Sequence, residues 1–169
     1  MELWDLYTAD RKPTGLTMVR GEKNPEGLYN LSVTVWIKNS KGQYLISQRS
    51  AIKKTYPLKW EPVGGGVVAG ETSLEGAARE VLEEVGIKVD KDKLQLIFTD
   101  IDYIWNGKPT SEINDIYLYE IDHYDASLAV SDEVAESRWL YPAEIKEMLD
   151  SGEFIEIYSY FFEKINKEE

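Results

Sequence analysis

Strands and one strongly patterned helix account for most of the alternation of apolar and polar residues along the chain. The clearest strand runs from Leu28 to Asn39, and the turn after it predicts a hairpin with Gln43–Gln48. The apolar positions on one face of that strand are Leu31, Val33, Val35 and Ile37.

Further elements are predicted on both sides of this hairpin. Pro142 opens a helix that reaches about Leu149, and a final helix covers about Phe154–Ile165. Because no repeat or long linker interrupts the pattern, we expect residues 1–169 to form one α+β domain, an α/β/α sandwich with a mixed sheet. The other predicted strands are Glu2–Thr8, Trp60–Val68, Leu94–Trp105, Glu112–Ile121 and Glu136–Tyr141, with turns at Asp10–Gly15 and Asn106–Pro109 and polar loops at Arg20–Gly27, Arg49–Lys59 and Asp122–Asp132.

A glycine-rich loop followed by a helix forms the most distinctive stretch, Gly65–Ile87. Ser73 is a candidate N-cap, and Gly86 is placed to end the helix in a left-handed conformation. The helical spacing of apolar residues predicts one buried face. Its members are Leu74, Ala77, Ala78, Val81, Leu82 and Val85.

The same helix carries three glutamates on a different face. Glu80, Glu83 and Glu84 fall within about 100° of arc, at about 100° of turn per residue. Like charges at this spacing repel one another, and acids near a helix C-terminus oppose the helix dipole. A hard divalent cation would remove both penalties, because Mg²⁺ prefers carboxylate oxygens. A solvated acidic face is the alternative interpretation.

The complete spacing is Gly65-x5-Glu71-x7-Arg79-Glu80-Val81-x-Glu83-Glu84-x-Gly86-Ile87. It resembles the signature of the Nudix hydrolase family at every fixed position. The resemblance implies a Mg²⁺- or Mn²⁺-dependent hydrolase that cleaves nucleoside diphosphates linked to another group, or related diphosphates. It also implies that Glu80, Glu83, Glu84 and the main-chain carbonyl of Gly64 bind the metal. Glu71 would brace the loop, and Arg79 would orient Glu80 or a neighbouring acid.

Charge and composition argue against several other classes of function. The 19 Lys and Arg against 31 Asp and Glu give a net charge of −12, which repels long nucleic acid. No cysteine and one histidine argue against thiol chemistry and a histidine-based zinc site. No segment reaches the ~20 apolar residues of a membrane span, and we expect a soluble cytoplasmic protein. The sequence identifies no interface and leaves a homodimer open.

Charged residues outside the signature are candidates for the rest of the site. Arg49, Lys53 and Lys54 form the densest basic patch, and Arg49 could hold a phosphate bidentately. Simple pairing with the acidic surface is the alternative. Glu112 begins a strand where Nudix enzymes often supply an additional acidic metal ligand or base, and an exposed edge glutamate is the alternative. Asp115 is a weaker candidate of the same kind.

Aromatic residues near these loops could stack on a nucleobase. Trp60 is the predicted substrate contact, although aromatic residues in strands belong more often to the core. The other candidates for stacking are Tyr56, Tyr103 and Trp105. The single histidine, His123, is interpreted as a polar residue in a turn and not as a base.

The predicted reaction is attack of water on one phosphorus of a diphosphate bridge in a small-molecule substrate. Glu83 or Glu84 would accept the proton of the water, with Arg79 beside them. The sequence does not decide between the two glutamates.

Three alternatives remain. The segments DLYTADRKPTG and NLSVTVWIKNSKGQYLISQRSAIKKTYPLKW resemble the isopentenyl diphosphate isomerase branch of the superfamily. That isomerase uses a catalytic cysteine, which this chain lacks, so hydrolase chemistry on an isomerase-like scaffold is favoured. A non-catalytic, nucleotide-binding regulatory Nudix domain and a structural or protein-interaction domain are the other two.

Overall fold

A mixed seven-stranded sheet forms the centre of the molecule, whose computed structural model describes residues 1–122 and 131–167. The helices are α1 (Ser73–Val85) and α2 (Pro142–Ser151), with shorter 3₁₀ helices at Lys91–Lys93 and Glu156–Tyr160 and a π-helical turn at Phe161–Ile165. The strands are β1 (Leu3–Tyr7), β2 (Pro13–Val19), β3 (Asn30–Asn39), β4 (Tyr44–Arg49), β5 (Trp60–Glu61), β6 (Val63–Gly66), β7 (Gln95–Ile101), β8 (Ile104–Trp105), β9 (Lys108–Pro109), β10 (Glu112–Ile121) and β11 (Val134–Leu140).

The sheet divides into two branches next to its centre. Its strand order is β11-β4-β3-β10-β7, in which β3 and β10 are parallel and the other neighbours are antiparallel. β3 pairs with β4 at Lys38 and Tyr44. Away from that point the two strands separate: β3 pairs with β6, and β4 pairs with β5. Pro62 joins the two branches and interrupts the ladder, because proline has no backbone N–H to donate. A cleft lies at this division.

Two apolar cores cover opposite faces of the sheet. On one face, the predicted residues Leu31, Val33, Val35 and Ile37 pack with the buried side of α1. On the other, Trp36 packs with residues of α2 and of the C-terminal turns. Alternate side chains of β3 therefore enter the two cores on opposite faces of the sheet. The fold is the predicted α+β sandwich. Among the described residues, no helix is long and apolar enough to cross a bilayer.

Helix α1 begins and ends at specific caps. Thr72 is the N-cap: its hydroxyl accepts from the Glu75 amide at 3.2 Å, and the Glu75 carboxylate accepts from the Thr72 amide at 2.8 Å. The prediction of Ser73 as N-cap is therefore wrong by one residue. Gly86 ends the helix at φ 73°, as predicted.

The buried face of α1 differs from the predicted one. Leu74 and Leu82 are 38% and 51% exposed, whereas Glu84 is buried. The helix packs closely on the sheet through Gly76, where a Cβ would lie 3.0 Å from Val67 Cγ2. This contact turns the helix so that a carboxylate, and not Leu82, faces inward. The buried residues of α1 are Ser73, Gly76, Ala77, Val81, Glu84 and Val85.

Other predicted boundaries also differ from the structure. The strand expected at Trp60–Val68 is divided at Pro62 into β5 and β6. The region expected as a turn at Asp10–Gly15 enters strand β2 at Pro13, and the long strand Leu94–Trp105 is divided at Asp102, which has φ 55°. The expected turn Asn106–Pro109 contains β9.

The expected helix at Phe154–Ile165 is also irregular, a 3₁₀ helix followed by a π-helical turn. Its winding places Phe154, Tyr158 and Phe161 around Trp36, with ring centroids 6.3, 6.1 and 4.8 Å away. Aromatic packing therefore overrides the regular helical period here.

Asp115 supports α1 and does not belong to the cleft, which corrects its prediction as a metal ligand or base. Alternation along β10 directs it to the face that α1 covers, where Arg11 Nη1 donates to it at 2.7 Å. Ser73 Oγ donates at 2.6 Å and Thr99 Oγ1 at 2.7 Å. Burial raises the pKa of Asp115, but the hydrogen bonds from Arg11, Ser73 and Thr99 outweigh it and hold the pKa below its ordinary value.

We expect Asp115→Asn to lower the free energy of unfolding by about 1.5–3 kcal/mol at pH 7, the range for hydrogen bonds to charged groups. Because folding lowers this pKa, the stabilisation is present above the unfolded pKa and disappears as pH falls through the folded value. Urea unfolding at pH 7 and pH 3 should show a larger difference between variant and wild type at pH 7 than at pH 3. The exposed pair Arg138–Glu136 supplies the control, since Glu136→Gln should cost less than about 1 kcal/mol. Equal losses for both variants would contradict the role of Asp115.

Candidate active site

The cleft at the division of the sheet has a volume of about 530 Å³ and brings the signature together with distant parts of the chain. Its walls come from both branches of the sheet, from the C-terminal half of α1 and from the β1–β2 hairpin. The charged side chains that line it include Glu2, Arg20, Arg49, Lys53, Glu61, Arg79, Glu80, Glu83, Glu84, Glu112, Asp132 and Glu133.

Arg79 is the centre of the ion-pair network on α1. Its Nε donates to Glu71 Oε1 at 2.8 Å, and its Nη1 donates to Glu80 at 2.8 Å and to Glu83 at 3.2 Å. Its Nη2 donates to the carbonyl of Gly66 at 2.8 Å. Glu71 in turn accepts from the Val68 amide at 3.0 Å. The guanidinium therefore fixes both the glycine loop and three carboxylates of the signature.

Glu84 is the buried acid of the cleft. Burial raises its pKa well above the ordinary value, and repulsion from Glu61 and Glu80 raises it further. Among the described residues, no cationic side chain forms an ion pair with Glu84, in contrast to Glu80 and Glu83. A buried carboxylate beside two others is costly unless a cation accompanies it.

Glu80 and Glu83 differ from Glu84 in exposure. Glu80 lies against Gly65, where a Cβ would be 2.5 Å from Glu80 Cδ, so this position accepts only glycine without a shift. Burial raises the pKa of Glu80 to about 7, although the hydrogen bond from Arg79 lowers it. The side chain of Glu83 is 59% exposed at the cleft edge.

The oxygen atoms that line the cleft are of the kind that a hard divalent cation binds, but they are not arranged around a common point. Carboxylate oxygens are the ligands that such a cation prefers, and all three glutamates line the cleft together with Gly64. Within residues 1–122 and 131–167, no three acidic or histidine side chains form a ready-made ion site. Arg79 holds two of the three glutamates, and a cation would compete with it for their oxygens.

The predicted basic patch is only partly in the cleft. Arg49 and Lys53 line it, whereas Lys54 is exposed and outside its lining. Arg49 Nη1 donates to Glu61 at 2.8 Å, and Lys53 Nζ donates to Glu133 at 2.6 Å. Both cations therefore pair with carboxylates, as the alternative interpretation of this patch expected. They also line the cleft that a phosphate would enter.

Glu112 lies in the cleft as expected from its place at the start of β10. Tyr103 donates its hydroxyl proton to Glu112 Oε2 at 2.6 Å. Burial and the nearby charge of Glu112 raise the pKa of Tyr103 well above its ordinary value, so the phenol remains the donor.

The prediction of Trp60 as a substrate contact is wrong. Trp60 is buried in the core that contains Trp36, and its outer face is covered by the Arg138 guanidinium, 4.9 Å from the ring centroid. Alternation on β5 directs Glu61, and not Trp60, into the cleft. Tyr103 and Trp105 do line the cleft, whereas Tyr56 packs against the edge of Trp105 outside it. His123 lies outside the described residues.

Several cleft residues were not predicted from the sequence. Glu61 follows Trp60 in β5, and burial raises its pKa although Arg49 lowers it. Glu133 receives its partners from two loops, Arg20 at 3.9 Å and Lys53 at 2.6 Å. Local patterns do not reveal these contacts, because they join residues far apart in the chain. Polar residues at alternate positions of β3 were a usable signal, and their side chains also line the cleft: Asn30, Ser32 and Thr34.

Comparison with known proteins agrees with this arrangement. The NUDIX domain family model matches residues 28–160. An uncharacterized Nudix hydrolase of Listeria monocytogenes is 35% identical over 168 residues, which cover 96% of this chain and 91% of that protein. The isopentenyl-diphosphate Delta-isomerase of Corynebacterium diphtheriae is 27% identical over 148 residues, 85% of this chain and 80% of that one.

A solved structure from Deinococcus radiodurans supports the fold. It has a TM-score of 0.68 at 24% identity and covers 89% of this chain and 90% of its own. The sheet topology, the intact signature in the cleft and the family match lead to one conclusion. The chain belongs to the NUDIX family and is a Nudix hydrolase.

Proposed function

We propose that this Nudix hydrolase is a Mg²⁺- or Mn²⁺-dependent pyrophosphohydrolase that cleaves the diphosphate linkage of a nucleoside diphosphate derivative. The observation that carries the proposal is the position of Glu84, a buried acid without a cationic partner among the described residues, beside Glu80 and Glu61 in the cleft. A divalent cation held here would supply the missing positive charge, offset charge on the diphosphate oxygens and lower the pKa of a bound water.

The chain's own residues supply the remaining functions. Glu80, Glu83, Glu84 and the carbonyl of Gly64 are the proposed ligands, with Glu112 as a further acid in the same cleft. Arg79 positions Glu80 and Glu83 through its guanidinium.

Proton transfer and phosphate binding complete the proposed mechanism. Glu83 or Glu84 accepts the proton of the attacking water. Arg49 and Lys53 exchange a carboxylate partner for a phosphate oxygen when substrate enters, because phosphate and carboxylate bind the same donors.

A screen that detects the phosphate-ester products by ion-exchange chromatography tests this function. Purified protein is incubated with sugar nucleotides, dinucleoside polyphosphates, nucleoside triphosphates, coenzyme derivatives and isoprenoid diphosphates, with Mg²⁺, Mn²⁺ or a chelator. We expect turnover of at least one nucleoside diphosphate derivative that the chelator abolishes. Nucleotide binding without turnover would instead support a regulatory domain, and interconversion of isopentenyl and dimethylallyl diphosphate would support an isomerase.

Gly65→Ala tests the placement of Glu80. The added Cβ would lie 2.5 Å from Glu80 Cδ, so the carboxylate must move away from its present position. We expect a loss of metal affinity of about 10–100-fold, the range for disturbed ligand support. Mn²⁺ titration by calorimetry measures it.

Gly66→Ala is the matched control for this variant. Its Cβ would meet the ring of Trp4 at 2.6 Å and not a glutamate. The Gly66 carbonyl accepts from Arg79, so some metal affinity is lost here too, but the loss should be smaller than in Gly65→Ala, whose Cβ meets a proposed ligand directly. If both alanine variants bound Mn²⁺ as the wild type does, Glu80 would not be a ligand.

A further inference from the structure

Part of the cleft wall is a polar patch on a buried sheet face. β3 and β10 run parallel here, with Asn30 opposite Glu112 and Ser32 opposite Asn114. These side chains lie on the same face as Trp36, which belongs to an apolar core further along the strand. Buried sheet faces are ordinarily apolar, so a polar end of this face indicates a purpose other than packing.

Two groups in this patch are buried without a hydrogen-bond partner among the described residues. They are Asn30 Nδ2 and Ser32 Oγ, in side chains 2% and 7% exposed that line the cleft. Tyr103 lies near Ser32 Oγ, but its hydroxyl proton goes to Glu112 Oε2. The oxygen of the Asn30 amide is used, since Oδ1 accepts from Asn24 Nδ2 at 2.9 Å. Neighbouring polar groups are also paired, as in the bond from Thr34 Oγ1 to Asn114 Oδ1 at 3.2 Å. Buried polar groups are nearly always satisfied, so these two require a partner that enters the cleft.

An aromatic ring borders the same patch. Gly66 lies opposite Ser32 in the β3–β6 ladder, and a Cβ on Gly66 would meet the Trp4 ring at 2.6 Å. The indole Nε1 donates to Glu2 Oε1 at 2.8 Å, which holds the ring in place from within the β1–β2 hairpin. Trp4 is half-buried and lines the cleft, so a ring-shaped ligand that reaches Ser32 also reaches an aromatic surface.

We propose that Asn30 and Ser32, with Trp4 beside them, form a subsite that determines specificity for the part of the substrate beyond its phosphates. The subsite takes an uncharged ring that bears hydrogen-bonding oxygen or nitrogen atoms, as sugars and nucleobases do. It discriminates against a hydrocarbon chain, because a hydrocarbon would leave Asn30 Nδ2 and Ser32 Oγ buried and unsatisfied. The inference rests on the proposed function for the identity of the phosphate-bearing substrate.

Three ligands with the same terminal diphosphate test the subsite: ADP, ribose 5-diphosphate and isopentenyl diphosphate. Dissociation constants are measured by calorimetry with Ca²⁺ in place of Mg²⁺, so that binding is measured independently of turnover. We expect both ribose ligands to bind wild-type protein at least about 10-fold more tightly than the isoprenoid, the scale set by one unsatisfied buried group. Comparison of ADP with ribose 5-diphosphate then distinguishes recognition of the base from recognition of the sugar.

A matched pair of variants assigns the effect to the hydroxyl of Ser32. Threonine and valine have the same shape, and only threonine keeps the hydroxyl. Ser32→Val should therefore bind the preferred ribose ligand about 5–10-fold more weakly than Ser32→Thr, and it should bind isopentenyl diphosphate at least as tightly as Ser32→Thr does, because it has no hydroxyl to leave unsatisfied. Asn30→Asp provides a second variant, since it keeps the acceptor for Asn24 and removes the free donor, and it should weaken the same ligand.

Two results would overturn the subsite. The first is equal affinity of wild-type protein for all three ligands, and the second is identical binding by Ser32→Thr and Ser32→Val. Failure of the proposed function is a separate outcome: the ligands would bind with the expected preference, but no nucleotide would be hydrolysed with Mg²⁺ or Mn²⁺.

Discussion

Glu84→Gln is expected to lower kcat by about 10²–10⁴-fold, the contribution of a positioned proton acceptor, and to weaken binding of the metal. The side chain keeps its size, so the fold should persist. Without metal, the variant should be at least as stable as wild-type protein, because the substitution removes repulsion of a buried carboxylate by Glu61 and Glu80. Turnover and thermal unfolding, each with and without Mg²⁺, measure the two effects. Mg²⁺ should raise the melting temperature of wild-type protein more than that of the variant.

The companion variant Glu83→Gln distinguishes the role of the exposed acid from that of the buried one. It should also reduce turnover, but it should not stabilise the metal-free protein, since Glu83 already lies largely in solvent. Glu147→Gln, on the exposed side of α2, is the control and should change neither property. Wild-type rates in both Glu83→Gln and Glu84→Gln would show that neither residue acts in catalysis.

Arg79→Lys should reduce both activity and stability, although it keeps the charge. The guanidinium uses all three of its nitrogens on Glu71, Glu80, Glu83 and the carbonyl of Gly66, and a single ammonium cannot reproduce that fork. We expect kcat/KM to fall about 10–100-fold, as for the loss of groups that orient metal ligands. The free energy of unfolding should fall by about 1.5–3 kcal/mol, the range for hydrogen bonds to charged groups.

Arg138→Lys is the control for this substitution. Arg138 is an exposed arginine that pairs with Glu136 and lies over Trp60, outside the cleft lining. Its replacement should leave kcat/KM unchanged and alter stability by less than about 1 kcal/mol. If Arg79→Lys behaved in the same way, the guanidinium fork would not organise the site.

The sequence was most informative where local rules and the fold agree. The alternation of β3 identified one core face correctly, and the bounds predicted for Glu112–Ile121 coincide with β10. Gly86 ends α1 because a left-handed residue without a Cβ is needed there. The signature glutamates were expected to meet at one place, and they line one cleft.

Local patterns failed where tertiary packing decides the outcome. The C-terminal segment has a helical composition, but the rings around Trp36 impose its irregular winding. The burial of Glu84 and the exposure of Leu82 depend on how closely Gly76 approaches the sheet. The pairing of Arg49 with Glu61 requires the division of the sheet, which spacing alone does not reveal. Asp115 was a weaker candidate of the same kind as Glu112, and alternation along β10 places the two residues on opposite faces of the sheet.

A crystal structure with Mn²⁺ bound gives the most direct test of the central claim, that the signature glutamates hold a divalent cation. Anomalous difference density identifies the ion without assumptions about its ligands. The account predicts a peak in the cleft in contact with carboxylate oxygens of Glu80 and Glu84, with at least one of Glu80 and Glu83 moved away from Arg79. No peak in the cleft at saturating Mn²⁺, together with no heat of binding in calorimetry, would contradict it.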